Sequence, residues 1–208
     1  MRAWLKEQGF EEGDLRSPKS YFHMHPMGYA CGKGELNVCK WLHNHGAAPD
    51  ITKANCFGTT PMYVACLKGH LSVCKWLFEV GAGADITKAS NGGYTPMHIA
   101  CQESHLSVCK WLFEVGAAAD ITKAINDGAT PMYAACEKGH LSVCKWLLDV
   151  GAAAGITRAA HGCANLEQPL AHRQLTMRAG DGHGSAAVVV RLGDVRGRAH
   201  LEQPLAHP

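Results

Sequence analysis

A period of 35 residues constrains this chain more than any single motif. Cys-Lys-Trp-Leu recurs at positions 39, 74, 109 and 144. Thr60-Pro61-Met62-Tyr63 returns as Thr95-Pro96-Met97-His98 and again as Thr130-Pro131-Met132-Tyr133, and Pro26-Met27 keeps the step. A fixed step of this size means stacked supersecondary units, because each unit is too small to bury its apolar face without a neighbour.

Within a unit, helix and turn signals alternate. Thr60, Thr95 and Thr130 each precede a proline; threonine caps helix N-termini and proline suits the first helical position. Met62, Ala65 and Cys66 then fall on one helical face. Lys68-Gly69-His70 interrupts the helix, with Gly69 suited to positive φ. Leu71, Val73, Cys74, Leu77 and Phe78 form the apolar stripe of a second helix, which Gly81 ends. A polar stretch over residues 85–94 turns the chain back. The units run over 20–54, 55–89, 90–124 and 125–158. The first is the least regular, with His25 in place of the capping threonine. In the third, Ser104 replaces the turn glycine. If that position is left-handed, the serine costs about 1 kcal/mol.

Thr-Pro-Met-(Tyr/His)-x-Ala, Gly-His-Leu-Ser-Val-Cys and Trp-Leu-x-x-x-Gly-Ala, combined at one spacing, resemble the ankyrin repeat over residues 20–158. The resemblance implies an all-α helix-turn-helix solenoid. It also implies a protein-interaction module without catalysis, binding in the concave groove between hairpin tips and the exposed side of the first helices. Each unit is longer than the family's 33-residue period. The extra small residues after the second helix, as in Gly116-Ala117-Ala118-Ala119-Asp120, are expected in a surface loop.

The flanks differ. Trp4-Leu5 and Gly9 repeat the spacing of Trp41-Leu42 and Gly46. Residues 1–19 therefore read as a partial repeat and loop: 1–8 as the second helix of a truncated unit, 11–19 as the connection. A chance match is the alternative. Residues 159–208 contain no Phe, Trp, Tyr or Lys, and such a segment is expected to be disordered. Leu-Glu-Gln-Pro-Leu-Ala-His nevertheless occurs at 166–172 and 201–207, again 35 apart. Two readings stay open: an out-of-frame stretch, marking a degenerate copy without selected function, and a genuine low-complexity tail carrying a short motif. A third alternative makes the repeats the targeting arm of a larger enzyme or membrane protein.

Composition excludes several function classes. The chain is 47% hydrophobic and 18% charged, with net charge +2. No apolar run approaches the ~20 residues that span a bilayer. Residues 1–20 carry charges throughout, without an apolar core, so the expected location is cytoplasmic or nuclear and not secreted. Residues 20–158 hold eleven Lys/Arg against ten Asp/Glu, which leaves no footprint for nucleic acid. Lys40, Lys75, Lys110 and Lys145 are expected to form a solvated row. No nucleophile elbow, phosphate-binding loop or His-Glu-x-x-His is present, so no enzyme activity, cofactor or small-molecule substrate is expected. Asp50, Asp85 and Asp120 share one repeat position, which marks fold rather than catalysis.

Histidine and cysteine usage follows the same logic. His70, His105 and His140 sit at the inter-helix turn and are expected to bond its backbone. His23/His25 and His43/His45 are two residues apart and do not share a helical face, so no metal site is expected. Cys31, Cys66, Cys101 and Cys136 share one position, and Cys39, Cys74, Cys109 and Cys144 another. They are expected to be buried and reduced; a disulfide ladder or metal binding is the alternative.

Stacking dictates what the units share, so recognition should lie where they differ. The candidate protein-binding residues are Phe57, Thr59, Asn91, Tyr94 and Asp127 at the tips. On the first helices they are Leu67, Lys68, Gln102, Glu103, Glu137 and Lys138. Phe57, Leu67 and Tyr94 are the apolar anchors. The partner is a protein that the sequence does not identify.

Overall fold

The threonine–proline starts do what their chemistry dictates. The computed structural model describes residues 2–10 and 24–152. Among them are nine α-helices: α1 Arg2–Glu7, α2 Pro26–Lys33, α3 Leu36–Leu42, α4 Pro61–Leu67, α5 Leu71–Leu77, α6 Pro96–Gln102, α7 Leu106–Leu112, α8 Pro131–Glu137 and α9 Leu141–Asp149. Thr60, Thr95 and Thr130 take extended backbone angles, and each hydroxyl accepts the amide three residues on. His25 caps α2 without a side-chain bond, as the irregular first unit suggests. The connecting loop over 11–19 and the tail lie outside the described residues.

The first helices α2, α4, α6 and α8 pack in sequence against one another, and α3, α5 and α7 form a second row. All described residues belong to one compact unit. Its core repeats with the period. Met27, Met62, Met97 and Met132, with Leu42, Leu77, Leu112 and Leu147, are among its largest fully buried side chains. Cys31–Cys39, Cys66–Cys74 and Cys101–Cys109 bring their sulfurs to 3.6 Å, and Cys136–Cys144 to 3.4 Å. All eight are buried free thiols. Burial pushes the Cys31 and Cys66 thiols well above their ordinary range, and the hydrogen bond with Cys109 does the same to Cys101.

Three expectations need correction. Phe78 does not join the buried stripe: it is 37% exposed, while Trp76 is 8% exposed. Its ring instead meets the edge of Trp111 in the next unit at 5.9 Å, as Phe113 meets Trp146. Phe78 keeps helical angles (φ -61°, ψ -45°), but it stands at the margin of the face that Val73, Cys74, Trp76 and Leu77 bury. The extra residues after the second helix are not a plain surface loop. A wide turn at Gly81 (φ 112°) leads into a further helical turn, Gly83–Ile86, that buries Asp85 and Ile86. His70, His105 and His140 bond the preceding unit and not their own turn. Their Nε2–H groups donate to the carbonyls of Gly32, Leu67 and Gln102, at 3.2, 3.1 and 2.9 Å.

Ser104 takes φ 64°, close to the 74° of Gly34 and Gly69 and the 73° of Gly139. The turn therefore does demand the left-handed region at this position.

Candidate protein-binding groove

Two rows of differing side chains flank the first helices. The tips form the first row. In the second unit Asn55 accepts from the amides of Phe57 and Thr59 and closes a tight turn. Successive tips are joined: the Asn91 amide donates to the Phe57 carbonyl at 2.9 Å, and its side chain to Cys56 at 3.0 Å. Asn126 repeats both bonds one unit on, to Gly92 and Asn91. Gly58 is held at φ 73°, and a Cβ there would collide with the Asn91 side chain. Glycine thus serves both the turn and the close approach.

The sequence-predicted tip residues sit as follows. Phe57 is 50% exposed; Asn91 and Asp127 are exposed, and Thr59 and Tyr94 half-buried. Asn91 is engaged in the ladder, so its side chain has a structural task. Tyr94 packs edge-on against His98 at 5.1 Å. This pair explains part of its difference from the other units. Thr59 and Ala129 are small where Tyr63 and Tyr133 follow four residues later, whereas Tyr94 is large where His98 follows. Met24 with Gly28 continues the exchange, and a Cβ on Gly28 would lie 3.3 Å from Met24.

The second row lies at the C-terminal ends of the first helices, roughly 10 Å from the tips by helix rise. Lys68, Glu137 and Lys138 are exposed; Leu67, Gln102 and Glu103 are half-buried. Lys138 and Glu103 form an ion pair at 3.0 Å across neighbouring units, and Gln102 donates to the same carboxylate oxygen at 3.2 Å. The Lys138 bond holds the Glu103 carboxyl below its ordinary range, assisted by Gln102. Between the rows the floor is closed by buried Tyr63, Val64, His98 and Ile99. Burial, with Tyr94 and Glu103 nearby, pushes the Tyr63 hydroxyl up to about 12. Burial pushes His98 down to about 4. Neither His98 ring nitrogen completes a hydrogen bond of ordinary geometry, although the Ala129 backbone lies near enough to oppose the shift.

Sequence reasoning passed over two features of this face. Lys33 is the first unit's member of the row that continues through Lys68, Glu103 and Lys138. It lies 5.5 Å from the Tyr29 ring centre, and counting back 35 residues from Lys68 would have found it. Where the first and second units meet there is also a small, shallow notch, lined in part by Met24, Gly28, Pro61 and Val64. Gly28 stands where other units have Tyr or His. Its absent side chain contributes to this space, a signal legible in the repeat alignment.

The family model for ankyrin repeats, in three copies, matches residues 4–90 and 82–158. The chain belongs to the ankyrin repeat family. No curated protein matches it. Ankyrin repeats generally serve as protein-interaction modules and are typically non-catalytic. Elsewhere on this ankyrin stack, His45 stacks on Trp41 at 4.2 Å while His43 meets Trp76 edge-on, so the two histidines face different partners. Among the described residues no group of three His, Cys, Asp or Glu side chains could hold a metal ion. No helix among them is long and apolar enough to cross a membrane.

Proposed function

We propose that this chain is a protein-interaction module that binds a partner segment along the groove between the tips and the first-helix ends, without catalysis. The exposure of Phe57 carries the reading. Phe57 and Phe78 are the large apolar side chains exposed among the described residues. Phe78 belongs to a contact that recurs in the next unit as Phe113 on Trp146. Phe57 belongs to one unit alone, so stacking does not require it. A half-exposed ring on a face that also carries half-buried Leu67 and charges of both signs suits a protein surface, where aromatic anchors dominate and polar groups set orientation. The eight buried thiols suit a reducing compartment, the cytoplasm or nucleus.

The test is substitution on both faces. Full-length chain should capture a partner that F57A/L67A loses, with affinity down roughly tenfold or more. K75A/K110A, altered on α5 and α7, should retain it. Loss with the lysine changes and retention with F57A/L67A would move the site to the second helices.

A further inference from the structure

The row Lys33, Lys68, Glu103 and Lys138 does not carry its charge evenly. Glu103 and Lys138 neutralise each other, and Glu137 adds an exposed negative charge beside them. Lys33 and Lys68 are both exposed, and neither has a carboxylate partner among the described residues; Lys33 lies over the ring of Tyr29. Among the described residues the first two units therefore present two ammonium groups without an ion-pair partner, against the exposed carboxylate of Glu35 at the turn after Lys33, and the last two units a small negative excess. The tip lysines do not alter this, because Lys53, Lys88 and Lys123 each pair with the aspartate three residues before. The second-helix lysines differ too: Lys75, Lys110 and Lys145 are followed one helical turn later by Glu79, Glu114 and Asp149, which cancels most of that row.

Packed helices lie about 9 Å apart, and a peptide in the extended polyproline II form advances about 9 Å in three residues and brings every third side chain back to one face. One step of the stack thus equals three residues of such a peptide laid across it. Resting on the groove reading above, we infer that the partner is an extended acidic segment. It places two carboxylates three residues apart on Lys33 and Lys68. A third carboxylate three residues further on would meet Glu103, so the sequence that fits is acidic, x, x, acidic, x, x, and then neutral or basic. An apolar side chain next to the acidic pair has half-buried Leu67 to pack against. The charge pattern supplies orientation as well as attraction, because reversing the peptide puts its acidic end over Glu103 and Glu137.

A randomised twelve-residue peptide library selected on the full-length chain tests this. Selected peptides should carry two acidic residues three apart and no acid at the next third position. K33E/K68E should weaken them roughly tenfold or more, whereas K75E/K110E should not. Both pairs are exposed, and circular dichroism confirms that the variants remain folded. Selection of neutral or basic peptides, acidic pairs without preferred spacing, or no selection would overturn the inference. So would a single-stranded 20-mer oligonucleotide that binds as tightly and is weakened by the same change, since the lysines would then hold any polyanion. Peptides weakened by F57A/L67A but indifferent to K33E/K68E would sink the acidic partner and leave the groove standing. Peptides weakened only by K75E/K110E would sink both.

Discussion

His98 is the residue whose burial has the clearest consequence. It stands where two other units have tyrosine, and Tyr94 fills the space that the smaller ring leaves. His98→Tyr should therefore overpack the site and cost about 1–3 kcal/mol. Tyr94→Ala in the same chain copies the fourth unit's pairing and should restore most of it, as urea unfolding would measure. The double variant should also change the pH profile. His98 takes its proton near pH 4 in the folded state, against 6.5 ordinarily. Between those values the unfolded chain binds the extra proton, so stability falls with acidification, by at most about 3 kcal/mol. Glu103 works lower down: its carboxyl is depressed, so its contribution is present above the ordinary carboxylate range and lost as pH falls through the folded value. Asp85 and Asp120 oppose both, because burial raises them and their protonation relieves a penalty. The decline from pH 7 to 5 thus belongs to His98 and should vanish in Y94A/H98Y. A decline that persists would assign it elsewhere. The cysteines yield a second prediction at this scale. Cys66, Cys74, Cys101 and Cys109 should resist a thiol reagent until denaturant is added, and rapid native labelling of all four would contradict their burial.

At the scale of the element, caps and turns were legible because their causes are local. Threonine before proline announces a helix start, and glycine before histidine announces the turn, whatever else the chain does. Ser104 makes the turn's demand measurable. Ser104→Gly should stabilise the chain by about 1 kcal/mol, and Thr95→Ala should cost about as much by stranding the His98 amide. Thermal unfolding of the two variants gives both signs; a destabilised S104G would mean that the serine side chain repays its strain. Contacts between units were less legible. The period shows that His140 has equivalents but not that its ring reaches Gln102, 38 residues earlier. Asn91 looked like a point of difference, yet it joins its tip to the preceding one and Asn126 does the same. Phe78 left its expected stripe because it stands at the margin of the buried face, where its ring meets Trp111 of the next unit. Each miss concerns which neighbour a side chain meets, and a single unit's pattern holds no such record.

At the scale of the molecule, nearest-neighbour stacking sets both stability and recognition. Thr60 and Thr95 are 1% exposed, whereas Thr130 is half-buried. Trp146 is likewise more open than Trp76 and Trp111. The fourth unit should therefore exchange its amide hydrogens fastest among the four, and finding it the best protected would contradict this. The groove itself was partly readable. Differences between units pointed to Phe57, Leu67 and the charged helix ends, but the Glu103–Lys138 pair that leaves Lys33 and Lys68 unbalanced required coordinates. Hydrogen exchange of the full-length chain with and without a selected peptide tests the central claim most directly. Protection should concentrate at the tips around Phe57 and Asn91 and at the ends of α2, α4 and α6, with α3, α5 and α7 unchanged. Protection confined to the second helices would contradict a groove-binding protein.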